Sequence, residues 1–156
     1  MALDILKIVI GGVIGIIGKI LYDFLNQRRE KKRISELISV EMLQNIQNVK
    51  KLHENVKYLT SGDESKELQL YSLEETADKI NESRKKDIYN KCLEKISLLG
   101  RNKMEIILEF YDSFDDEEKF IREYARFGGN ISHYASENVV SRLLNRIQKS
   151  FEEFKK

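Results

Sequence analysis

Arg126 and His133 are the two side chains in this 156-residue chain whose types and spacing most suggest chemistry, in the stretch Arg126-Phe-Gly-Gly-Asn-Ile-Ser-His133. Set together near a helix start, an arginine could hold an RNA phosphate while a histidine takes the proton of a 2′-hydroxyl. Counting tempers this. With two histidines and nine arginines in the chain, chance alone supplies roughly 0.35 such pairs. The plainer reading puts His133 in the first turn of the last helix and Arg126 at the preceding helix's C-terminus, where its charge suits the dipole. No catalytic assignment is expected to rest on this pair alone.

Other chemistry is scarcer still. The chain carries no GxxxxGK[ST], GxGxxG, CxxC, HExxH or GxSxG element. No cofactor, metal or small-molecule substrate is therefore expected. Asp115-Asp116-Glu117-Glu118 offers four carboxylates, but neighbours along a helix point in different directions, so a solvated face is expected rather than a metal site. Cys92 shares an apolar stripe with Ile88 and Ile96 and should be core. As a lone cysteine it excludes an intrachain disulfide framework. With 27 basic against 26 acidic residues, any basic patch must be local.

The elements that would position these residues are all helical. There is no proline and 34% of residues are charged, which suits long, solvent-laced helices. Ile34, Leu37, Ile38, Met42, Ile46, Val49, Leu52, Val56 and Leu59 recur at three or four residues and predict a long amphipathic helix that could run on from the N-terminal segment. Turn chemistry at residues 60–63 ends it, and Leu68 to Leu73 reads as a tucked connector. Ser72-x-x-Glu75 reads as a capping box. Ile80, Ile88, Cys92, Leu93, Ile96 and Leu99 trace the next stretch, closed by Gly100. Asn102 can cap another, through Met104, Ile107, Leu108, Tyr111, Phe114, Phe120, Tyr124 and Phe127. Gly128-Gly129-Asn130 breaks the chain. A last helix carries Val139, Val140, Leu143, Leu144, Ile147, Phe151 and Phe154. The prediction for 27–156 is an up-down bundle of about four helices.

Composition changes sharply near residue 26. Between Ile5 and Leu25, 13 of 21 residues are Ile, Leu, Val or Phe, a helix about 31 Å long. The cluster Arg28, Arg29, Lys31, Lys32 and Arg33 follows directly, as a positive-inside flank or an anionic-lipid contact. These features predict a single-pass transmembrane helix over residues 1–26 in the inner membrane, with the remainder cytoplasmic. An interfacial helix lying flat on the bilayer is the main alternative, ahead of a cleaved signal peptide, which would need its basic residues before the apolar run.

Within this helix, Asp4, Lys7, Gly11, Gly15, Gly18 and Tyr22 fall on one stripe with Gly12 and Lys19 at its margin, opposite Val9, Val13, Ile16, Ile17, Ile20 and Phe24. Small residues so spaced let helix backbones approach closely. Thirteen apolar residues supply about −4 to −8 kcal/mol of insertion free energy, and each lysine costs up to about 3. Such a marginal inserter would gain from packing several copies with the stripe inward. A homo-oligomeric bundle or narrow pore in a lipid bilayer is expected, with a plain anchor as the alternative.

Taken with the Arg126–His133 element, this layout resembles HEPN-like small membrane effectors, in particular the accessory membrane proteins of type VI-B CRISPR systems. The resemblance implies a ring-shaped oligomer that permeabilises the membrane in antiphage defence, triggered through an RNA-guided effector or its RNA. Two departures are visible: the Arg-to-His spacing is long, and Gly128-Gly129 stands where nucleolytic members carry a polar residue. A membrane-tethered HEPN ribonuclease using Arg126 and His133, and an anchored immunity or scaffold protein binding a soluble partner, are the competing functions.

Overall fold

The computed structural model describes residues 2–60, 73–126 and 133–156, with side chains from residue 12 onward save 13, 57–60 and 133–135. All described elements are helical: α1 (Ala2–Thr60), α2 (Leu73–Ser83), α3 (Asp87–Cys92), a 3-10 segment (Leu93–Leu99), α4 (Arg101–Arg126) and α5 (His133–Lys155). The expected all-α bundle is present. Its mainstay is the second half of α1, which packs chiefly on α5, while α5 packs on α4 and α4 on α2.

Side-chain spacing explains the core. From Ile34 on, α1 buries Ile34, Ile38, Met42, Ile46, Val49, Leu52 and Val56, steps of three or four residues that keep one face inward. Phe110, Tyr111, Phe114 and Ile121 do the same for α4, and Val139, Val140, Leu143, Ile147, Phe151 and Phe154 for α5. Cys92 is buried among them, as expected. Leu37, Leu108, Phe120 and Tyr124, which share the helical periodicity, stay outside.

Three polar residues of α1 decide where the chain breaks between α2 and α3. Asn45 exchanges two hydrogen bonds with the backbone of Lys85, donating to its carbonyl at 2.9 Å and accepting from its N–H at 2.8 Å. Asn48 donates to the carbonyl of Ser83 at 3.1 Å. The Glu41 carboxylate, 1% exposed, accepts the Ile88 and Tyr89 N–H groups at 2.6 and 3.0 Å and the Tyr111 hydroxyl. These backbone groups at a helix end have no intrahelical partner, and Glu41 supplies one. Burial, and then the bond to Glu41, push the Tyr111 hydroxyl far above the ordinary tyrosine range, so it remains a donor. What the periodicity presents as one stretch from Ile80 to Leu99 is therefore three short pieces. Gly100, at φ 88°, then turns the chain into α4, and α4 starts at Arg101, one residue before the expected Asn102.

The N-terminal prediction is corrected. Among the described residues no helix is long and apolar enough to cross a membrane. The apolar stretch Ile14 to Leu25 is interrupted by Lys19 and Asp23. Nor is it a separate anchor: α1 passes residue 26 and the basic cluster without a break and continues to Thr60. The transmembrane segment and the single-pass inner-membrane location are both overturned by this finding. The expected capping box at Ser72, the connector before Leu73, Leu59, Phe127 and the Gly128-Gly129-Asn130 break all lie outside the described positions or side chains.

Removing the Glu41 carboxylate should be costly, because two backbone N–H groups and a phenol lose their acceptor inside the core. Glu41→Ala is expected to destabilise the bundle by about 2–4 kcal/mol in urea unfolding, and Glu41→Gln by less, since its carbonyl oxygen can still accept.

Candidate functional site

The first half of α1 stands clear of the bundle. Ile14, Ile16, Ile17, Ile20, Leu21, Tyr22, Phe24 and Leu25 are 51–65% exposed, whereas Ile34 is 3% exposed. Gly12, Gly15 and Gly18 face open space, with nothing within 4 Å of where a Cβ would stand. Lys19 and all five cations of the cluster Arg28, Arg29, Lys31, Lys32 and Arg33 are exposed as well. Lys7 and Gly11 belong to the same helix, but their side-chain positions are not among those described. The result is an apolar helical arm with a cationic collar where it meets the bundle. The collar has one visible tether: Glu30 pairs with Lys95 of the 3-10 segment, which raises the Lys95 pKa.

Contiguous exposed apolar surfaces of this kind mark sites of interaction in proteins generally. The glycines matter to what a partner could be, because a helix without side chains on one stripe admits another helix at short distance.

Arg126 and His133 flank the gap between the last two helices. Arg126 is the exposed last residue of α4 and His133 the first of α5. The His133 side chain lies outside those described. Arg126 sits where a cation suits the helix C-terminus.

The acidic run behaves differently from its expectation as a wholly solvated face. Asp115 and Asp116 are exposed, but Glu117 is 3% exposed. Its carboxylate accepts from Arg142 Nε at 2.8 and 2.9 Å and from Arg146 Nη1 at 3.3 Å, while Arg146 also donates to Asp116 at 2.8 Å. The signal was present in spacing: Glu117 lies three residues after Phe114 and four before Ile121, on the buried stripe of α4. Arg142 in turn stacks on Phe120, 4.7 Å from the ring centre, and Phe120 stacks on Tyr124. Two residues before Glu117 on α4, Asp115 pairs with Arg84 and Lys86; burial pushes its carboxyl up, but the two cations outweigh this and hold it below the usual range. No group of His, Cys, Asp and Glu among the described residues could hold a metal ion. These ion pairs are structural ties between helices.

Comparison of the chain with protein-family models, with curated proteins and with solved structures finds no match in any of the three.

Two substitutions separate structural from chemical roles here. Glu117→Ala should cost about 1–3 kcal/mol in stability, moderated because Arg142 and Arg146 keep access to water. Arg126→Ala should shift stability by less than about 0.5 kcal/mol, and should leave RNA incubated with the protein as intact as the wild type does; cleavage by the wild type that Arg126→Ala abolishes contradicts the structural assignment.

Proposed function

We propose that the protein is a non-enzymatic helical assembly module, in which copies of the chain associate through the N-terminal arm and display the bundles as heads. The observation that carries this reading is the run of eight large apolar side chains between Ile14 and Leu25, each more than half exposed, on a helix continuous with the core. Apolar area removed from water contributes about 25 cal/mol per Å², and each of these side chains leaves on the order of 100 Å² uncovered. An arm left in water forgoes that stabilisation, and a second arm supplies it.

The open glycine positions support a helix as the covering surface, since they allow close backbone approach. The effector role in bacterial antiphage defence that the resemblance implies then belongs to the assembled form, with an RNA-guided nuclease or its RNA as the upstream partner. Assembly needs no spanning helix, and a pore is no part of the proposal.

Analytical ultracentrifugation of the purified chain tests it. The wild type is expected to sediment as an oligomer, and Ile14→Glu/Leu21→Glu as a monomer whose helical content is unchanged apart from the arm. A wild-type chain that stays monomeric at ~100 µM overturns the reading. If that monomer also floats with vesicles containing anionic lipid, a bilayer surface is the arm's partner instead.

A further inference from the structure

Self-association leaves open how two arms meet, and the order of residues along the arm answers it. Lys7, Gly11, Ile14, Gly18, Leu21 and Leu25 are separated by four, three, four, three and four residues, the repeat of a helix–helix seam. Placing these at the two central positions of the heptad puts Gly15 and Tyr22 on one flank and Ile17 and Phe24 on the other. Six of the eight exposed apolar residues, Ile14, Ile17, Leu21, Tyr22, Phe24 and Leu25, thus lie on the seam or beside it. Both described charges of the stretch, Lys19 and Asp23, fall away from it.

We infer, resting on the assembly reading above, that two copies pair through this seam with their arms antiparallel, in the register that sets Ile14 opposite Gly18 of the second copy. In that register each rung joins unlike partners: Gly11 meets Leu21, Ile14 meets Gly18, and Lys7 meets Leu25. A glycine's missing side chain is filled by a large one, which close packing of helices requires. Parallel, in-register pairing sets Gly18 on Gly18 and Ile14 on Ile14, leaving a void at one rung and crowding the next.

Charge points the same way. Parallel arms bring the two collars of Arg28, Arg29, Lys31, Lys32 and Arg33 side by side, ten exposed cations at one level. Antiparallel arms carry them to opposite ends, with position 28 facing position 4, an arginine against an aspartate. Six side chains on the order of 100 Å² each give about 600 Å² per copy, or about 1,200 Å² in all, at the lower bound of stable interfaces.

Cysteine pairing in a Cys92→Ser background tests the orientation. Chains carrying Ile14→Cys and Gly18→Cys, distinguished by size tags, are mixed and mildly oxidised. The expected result is a mixed Ile14→Cys/Gly18→Cys disulfide at least ~10-fold over either like-with-like product. Predominant like-with-like pairing, or no enrichment of the mixed product, overturns the antiparallel register. Ultracentrifugation of the same background keeps the two failures apart: an oligomer without the mixed bridge refutes only the register, while a monomer refutes assembly through the arm. As a second readout without cysteine, Gly18→Leu fills the space that Ile14 needs and should weaken association at least ~10-fold; unchanged association would also overturn the register.

Discussion

Covering α1 is the constraint on which the rest of this structure depends. A helix of 59 residues is about 90 Å long, while its longest packing partners, α4 with 26 residues and α5 with 23, reach about 39 and 35 Å. The bundle can therefore bury only part of one face of α1. Burial begins sharply at Ile34, and every described apolar side chain before the collar is left in solvent.

Within the head, polar groups on α1 do as much organising as apolar ones. Glu41, Asn45 and Asn48 project on one side of the buried stripe and bind the backbone of residues 83–89. Burying a carboxylate is tolerated because each interaction it makes replaces one lost from water, and because backbone N–H groups at a helix end lack partners of their own. The consequence is specificity: a slip of α1 against α3 would strand a buried charge. Glu117 plays a comparable part between α4 and α5, with two arginines that remain accessible to water and so contribute less.

Head and arm thus follow different rules. The head is fixed by burial and by hydrogen bonds satisfied within one chain. The arm has its backbone hydrogen bonds satisfied within the helix but its described apolar side chains exposed, and the proposed assembly would cover them. Cationic collar, open glycines and heptad spacing all sit on that one segment.

Much of the head could be read directly from the sequence. Periodicity at three and four residues identified the buried faces of α1, α4 and α5 and the core position of Cys92, because a helix in a bundle must segregate apolar residues to one side. Position within one continuous helix was less legible. Residues 5–25 have the composition of a membrane span, and composition does not report that the helix runs unbroken into a bundle. The break between α2 and α3 was invisible for a different reason: it depends on Asn45 and Glu41, roughly 40 residues distant, whose side chains reach the turn only once α1 is packed beside it. Likewise, Glu117 reads as one carboxylate among four until α5 brings Arg142 and Arg146 against it. Local patterning, set by the 3.6-residue repeat, belongs to the sequence; which polar groups are buried, and which apolar ones are left uncovered, was decided only when helices of unequal length were laid together.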